Sequence, residues 1–252
     1  MDKGQPCTIL QRQQWTEDLC TLWFEPPQQP KIQAGQFIRV GLEVEVDGEK
    51  EFVARPYSLV NAPTDERWEI YFNRVPDGPL SRPLFDLQEG DQLWATGQGN
   101  GFFTLDEVPK AQQLWLIATG TGIGPFLSIL QTPRPWQDYQ QIVLVHGIKQ
   151  LADKTYSALL AQLQSQYPGR LQVLYTITRE TVVGAYTQRV TEALKSGWLE
   201  DSAGLQIGAD QTQVMLCGHP DMVREMTGLL QTRGLAKNRR RAPGQITSEI
   251  YR

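Results

Sequence analysis

Four apolar runs in the second half of the chain are each followed by a stretch of helical pattern. The runs are LWLIAT (114–119), QIVLVHG (141–147), LQVLYTITR (171–179) and QVMLCGHP (213–220). The stretches behind them are PFLSILQT (125–132), SALLAQLQSQY (157–167), RVTEALKSGWL (189–199) and DMVREMTGLLQTRG (221–234). A strand that is apolar at nearly every position is buried on both faces, and a helical crossover returns the next strand parallel to the last. This half is therefore expected to form an α/β domain, a parallel sheet with helices on both sides.

The first half has a different rhythm. Segments 20–26, 35–45, 55–63, 67–75 and 91–98 mix β-branched and aromatic residues and end in turn formers such as VDGE and VPDG. With one short helical candidate at 79–87, these closely spaced strands suggest a closed antiparallel β-barrel. The rhythm changes near 105–113, which divides the chain into domains 1–107 and 108–252. A length of 252 residues allows each domain its own core.

With 24 basic and 28 acidic residues the net charge is −4, which argues against a general nucleic-acid binder. Cys7, Cys20 and Cys217 are too scattered for a local metal or iron–sulfur framework or a disulfide scaffold. The opening MDKGQPCTIL has no charged leader with an apolar core, and no apolar run reaches transmembrane length. A soluble, cytoplasmic monomer is the expectation.

The turn ATGTGIGP places Gly120, Gly122 and Gly124 between a strand and a helix. Unpaired N–H groups at a helix start suit an anion, and Pro125 fits the first helical turn. No Gly-Lys-Ser/Thr follows, so this is no P-loop, and Pro125 breaks the strict dinucleotide fingerprint. Plain strand-to-helix geometry explains the turn equally well. The following strands end in Lys149, then Thr178 and Arg179, and Arg189 opens the next helix. Cations here, where NAD-binding chains carry an acid, suit a ribose 2′-phosphate and favour NADP(H).

RPYSLVNAP (55–63) resembles the R-x-Y-S flavin-binding signature of the plant-type ferredoxin–NADP reductase superfamily, and the chain looks closest to the bacterial ferredoxin/flavodoxin–NADP reductases. VPDGPLS (75–81), GNGFFTLDE (99–107), ATGTGIGPFLSIL (118–130), TRE (178–180), MLCGHPDMV (215–223) and the terminal SEIY (248–251) follow in family order. The resemblance implies an N-terminal barrel carrying FAD and a C-terminal domain carrying NADPH. It assigns Arg55 and Pro56 to the flavin motif, with Arg55 at the pyrophosphate. Tyr57 would lie flat beside the isoalloxazine and Ser58 near flavin N5. Tyr71, Phe72, Asn73 and Arg74 would line the ring and ribityl chain. Gly78, Pro79, Leu80 and Ser81 would open a pyrophosphate-binding helix. On the other domain Thr121 would reach between flavin and nicotinamide, and Cys217 would stand near the nicotinamide. Lys149, Thr178, Arg179 and Arg189 would hold the 2′-phosphate and pyrophosphate.

Glu249 and Tyr251 match the family's terminal E-x-Y, whose tyrosine stacks on the flavin and yields to nicotinamide. Ser58, Cys217, Glu249 and Tyr251 are thus the expected catalytic set. Arg252 replaces the terminal aromatic of some relatives, so its contact with FAD adenine stays open. The implied reaction is hydride transfer between nicotinamide C4 and flavin N5, then single electrons to a ferredoxin or flavodoxin. RGLAKNRRRAPG (233–244) offers Arg233, Lys237, Arg239, Arg240 and Arg241 to an acidic carrier. An NAD(P)H–flavin or quinone reductase, or an electron-transfer subunit of a larger complex, shares much of this pattern.

Overall fold

The computed structural model describes residues 3–46, 48–76 and 78–251. The strands of the first half are β1 (Gln5–Gln14), β2 (Leu19–Phe24), β3 (Phe37–Val46), β4 (Glu49–Ser58), β5 (Trp68–Asn73) and β6 (Gln92–Ala95), with helix α1 (Ser81–Asp86) before β6. They form one antiparallel sheet in the order β4-β3-β6-β1-β2-β5. The sheet curls until its two ends meet: Leu59, just past β4, bridges Ile70 on β5, and Val60 N–H donates to Glu69 O at 3.0 Å. Inside are Ile9, Leu22, Phe24, Ile38, Trp68, Ile70 and Phe72, capped by Leu84 and Phe85 of α1.

The second half carries β7 (Gln113–Thr119), α2 (Gly124–Leu130), α3 (Arg134–Asp138), β8 (Gln141–Ile148), α4 (Ser157–Gln166), β9 (Leu171–Ile177), α5 (Val190–Lys195), α6 (Trp198–Ala203), β10 (Thr212–Gly218), α7 (Pro220–Thr232) and β11 (Ile246–Ile250). Its five strands are parallel in the order β11-β10-β7-β8-β9. Alternation along each strand sorts the apolar residues between two cores. Leu114, Leu116, Leu144 and Met215 face α2–α4, whereas Trp115, Ile117, Val145 and Leu216 face α5–α7. The first of these cores also takes in Leu19, Val60, Tyr71 and Phe103, so it is the α2–α4 face that packs on the barrel. Among the described residues no helix is long and apolar enough to cross a membrane.

Three elements differ from the sequence reading. Strand β1 has a polar second half, with Cys7 and Ile9 as its buried apolar residues, and so carries a weak pattern. The helix expected over 189–199 breaks at Gly197, whose φ of +82° starts a new helix, α6. The terminal E-x-Y lies in and just beyond an edge strand, β11.

Candidate active site

The chain leaves β7 toward β8 and β9 on one side and returns to β10 and β11 on the other. Open parallel sheets bind ligands beyond the carboxyl ends of their strands at such a reversal. The glycine turn lies at this point, as a 3-10 turn, Gly120–Ile123, running into α2. A Cβ on Gly122 would stand 2.7 Å from the Cys217 carbonyl oxygen and 2.8 Å from Gly218 Cα. Gly122 is therefore required by the close approach of two backbones at the ends of β7 and β10. Thr119 Oγ1 adds a tie across the gap, accepting from His219 N–H at 3.0 Å. Thr121 stands half-buried on this turn.

Ser58 ends β4 opposite Phe37. It is 6% exposed, and its Oγ has no hydrogen-bond partner of ordinary geometry. A buried hydroxyl left this way costs about 1–3 kcal/mol and marks a place where a ligand can supply the missing partner. Glu249 is paired in register with Cys217, and its Oε2 is so near Gly101 that a Cβ there would lie 3.5 Å away. Burial pushes the Glu249 carboxyl up to about 7, with Ser58 partly opposing it. Burial, then the Glu249 charge, raise the Cys217 thiol, against the neighbouring Tyr251 hydroxyl. Tyr251 is anchored by its N–H to Gly218 O at 3.0 Å, and burial raises its hydroxyl too. The structure thus brings Ser58, Cys217, Glu249 and Tyr251 together. A thiol kept protonated is no nucleophile at neutral pH, so this set can orient and polarise a ligand.

Beyond the ends of β8 and β9 lies a cleft of about 570 Å³ lined by Lys149, Thr178, Arg179, Thr187, Gln188 and Arg189, with Glu192 at its edge. Arg179 N–H donates to Lys149 O at 2.8 Å, which brings the two cationic residues side by side. Among the described residues none of the three cations forms an ion pair, and Glu192 is engaged by Lys195 at 2.8 Å. Unpaired cations beside hydroxyl and amide groups fit a phosphate.

The barrel residues divide. Arg55 and Pro56 are exposed on β4. The Tyr57 ring packs edge-on against Phe72 at 5.9 Å, and Phe72 in turn against Phe85, so the Phe72 side chain belongs to the barrel interior. Tyr71 is buried between the domains, its hydroxyl accepting from Thr155 Oγ1 at 3.1 Å. Asn73 is exposed. Arg74 is already engaged, by Asp18 at 3.2 Å and by the Phe85 ring at 5.0 Å. At the start of α1, Ser81 Oγ accepts from Val75 N–H at 3.0 Å, and a Cβ on Gly78 would run into that oxygen. Pro79 is exposed and Leu80 buried. Arg252 lies outside the described residues.

Two buried residues escaped the sequence reading. His146 on β8 is fully buried and meets Gly120 O through Nε2 at 2.9 Å. Glu69 on β5 accepts from Tyr156 OH at 2.7 Å, and burial pushes it up to about 7. In each case the available signal was a polar residue within an apolar strand.

Taken together, the closed antiparallel barrel, the parallel sheet and the cation-lined cleft beyond its β8 and β9 ends define a two-domain oxidoreductase fold. Residues 116–227 match the family model described as an oxidoreductase NAD-binding domain. The flavodoxin/ferredoxin–NADP reductase of Escherichia coli is 43% identical over 217 residues, 86% of each chain. The ferredoxin–NADP reductase of Pseudomonas aeruginosa is 31% identical over 237 residues, 90% of this chain and 89% of its own. A crystal structure of a ferredoxin NADP+ reductase from Neisseria gonorrhoeae with bound FAD and NADP superimposes with a TM-score of 0.91 at 29% identity, covering 99% of both chains. The chain belongs to the ferredoxin/flavodoxin–NADP reductase family.

Proposed function

We infer that the chain is an FAD-dependent reductase moving electrons between NADPH and a ferredoxin or flavodoxin. The observation that carries this reading is the buried Ser58 hydroxyl, which makes no hydrogen bond of ordinary geometry beside Glu249 and Tyr251, together with the cation-lined cleft beyond the ends of β8 and β9. Bound FAD supplies the redox chemistry, accepting hydride and releasing electrons singly.

The protein's residues bind and orient. Arg55 and the Gly78–Ser81 cradle neutralise the FAD pyrophosphate, which Arg74 meets only by giving up Asp18. Tyr57 would offer its ring to bound flavin, and Ser58 would donate its hydroxyl to it. Thr121 and Cys217 would position the nicotinamide. Lys149, Arg179 and Arg189 grip the 2′-phosphate. Tyr251 would shield bound flavin and would have to yield its place to the nicotinamide. The barrel unit is residues 1–107 and the nucleotide unit 108–252.

The carrier approaches the basic segment at 233–244. Arg233 is tied to Glu200 at 2.6 Å, and Arg240 pairs with Glu107 at 3.3 Å while stacking on Phe102 at 3.9 Å. Lys237, Arg239 and Arg241 carry the exposed charge that attracts an acidic surface. Rising salt should slow carrier reduction far more than reduction of a neutral dye, and an unchanged ratio removes the patch. Three free, buried cysteines suit a reducing compartment, and we place the enzyme in the cytoplasm as a monomer.

The deciding experiment is the double variant Arg179→Ala, Arg189→Ala. Two charge-assisted contacts are worth enough that KM for NADPH should rise roughly 100-fold or more, with NADH scarcely affected. Equal losses with both nucleotides would refute the assignment.

A further inference from the structure

We propose that His146 is a positioning residue for hydride transfer: its Nε2–H holds the Gly120 carbonyl and fixes the turn that carries Thr121 and packs through Gly122 on the Cys217 backbone. A carbonyl oxygen only accepts, so the 2.9 Å contact puts the ring proton on Nε2. His146 lies on β8 two residues beyond Leu144, on the strand face that packs in the barrel-side core. Its Nδ1 is buried without a partner. An aliphatic residue there would avoid that unsatisfied nitrogen, so for packing alone histidine is a poor choice.

What the imidazole gains is a hold on a permissive hinge. Gly120 has φ +53° and a Cβ built on it would meet nothing within 4 Å, so neither its backbone nor its outer side restrains the turn. Restraint comes from two flanks. On the β10 flank Gly122 rests against the Cys217–Gly218 backbone, and on the β8 flank His146 grips Gly120 O. β8 also comes close at Gly147, where a Cβ would lie 3.1 Å from Thr119 Cγ2. Releasing the β8 flank leaves the turn free to tilt about Gly120. A shift of about 1 Å at Thr121 is enough to slow a transfer that depends on close alignment by up to 100-fold.

This inference rests on assigning the turn to the nicotinamide, and the test separates the two claims. In the FAD-loaded enzyme, His146→Leu should keep its melting temperature within a few degrees. Amide exchange at Gly122–Gly124 should speed roughly tenfold as the carbonyl clamp is lost. Flavin reduction by NADPH should slow about tenfold, and NADP+ affinity should change less than about threefold because the 2′-phosphate grip is untouched. His146→Gln, which places an N–H near Nε2, should restore most of the rate, and His146→Asn, which reaches only toward Nδ1, should not. Unchanged amide exchange in His146→Leu overturns the clamp itself. Faster exchange with a normal reduction rate overturns the proposal through its premise, because the turn then does not serve the nicotinamide. Should His146→Leu fail to fold, equal rates in the Gln and Asn variants overturn it.

Discussion

Two seams join the barrel to the parallel-sheet domain, and each contains a glutamate that burial pushes up to about 7. At one seam Glu69 ends a chain of hydrogen bonds. Trp15 Nε1–H donates to Thr21 Oγ1 at 2.8 Å, Thr21 meets Tyr156 OH at 2.7 Å, and Tyr156 donates to Glu69 at 2.7 Å. Beside it Thr155 donates to Tyr71, Ser128 to Asn61 O at 2.7 Å and Gln131 to Val60 O at 2.8 Å. At the other seam Ser58 Oγ makes no hydrogen bond of ordinary geometry; Glu249 and Tyr251 lie beside it, and Tyr251 in turn adjoins Cys217. A completed network fixes how two bodies sit, whereas an incomplete one is held ready for something that binds. The titration of the two acids is alike. Their partners set them apart.

Of the changes at the two seams, Ser58→Ala carries the largest expected effect. It removes a hydroxyl that the ligand-free protein leaves unsatisfied, so thermal stability should hold or rise by up to about 1 kcal/mol. Flavin reduction by NADPH should fall by roughly 10–100-fold, the scale of losing one strong hydrogen bond of about 1.5–3 kcal/mol. A stopped-flow trace at the wild-type rate would break the contrast between the seams.

Next come the two acids. Each holds its proton up to about 7 in the folded protein against an ordinary value of 4.5. Between those values the unfolded chain ionises first. Stability is therefore full below about pH 4.5 and declines as pH rises toward 7, by at most about 1.4 kcal/mol per pH unit for each acid. Glu69→Gln keeps an acceptor for Tyr156 and should flatten that decline, so it gains on the wild type by about 1–3 kcal/mol at pH 8 without altering hydride transfer. Glu249→Gln should also change the pH dependence of flavin reduction near 7. Melts and reduction rates at pH 5 and pH 8 give all four numbers. A kinetic defect in Glu69→Gln, or none in Glu249→Gln, would show the division to be misdrawn.

The sequence made one seam far more legible than the other. Continuous apolar strands with helices between them announce β7 to β10, and the glycine turn marks the sheet reversal. Ser58, Cys217 and Glu249 became readable through short motifs that carry chemistry. That they meet depends on register between β10 and β11 and on how the barrel docks, which no local pattern encodes. Glu69 and His146 offered only the weak signal of a polar residue in an apolar strand, because burial is what turns such a residue into a network member, and burial is a property of the fold. Tyr156 was equally hidden. It adopts φ +57°, a conformation uncommon outside glycine, and it supplies both the ring between Trp15 and Tyr71 and the hydroxyl for Glu69. Arg74 and Arg233 looked like free cations, and each is committed to a carboxylate that only the folded chain brings near.

The smallest expected effect tests whether the completed seam is purely structural. Thr155→Val keeps the shape of the side chain and removes the donor to Tyr71 OH. Tyr71 can still donate, yet in this buried place the lost bond should cost about 1 kcal/mol, seen as a small drop in melting temperature. The flavin spectrum, NADPH affinity and reduction rate should match the wild type, because Thr155 and Tyr71 are buried partners of each other and neither is among the groups that adjoin Ser58. If the variant instead weakens flavin retention while melting normally, Tyr71 serves the flavin through its hydroxyl, as the family resemblance suggests. The boundary between the two seams would then run through Tyr71 itself.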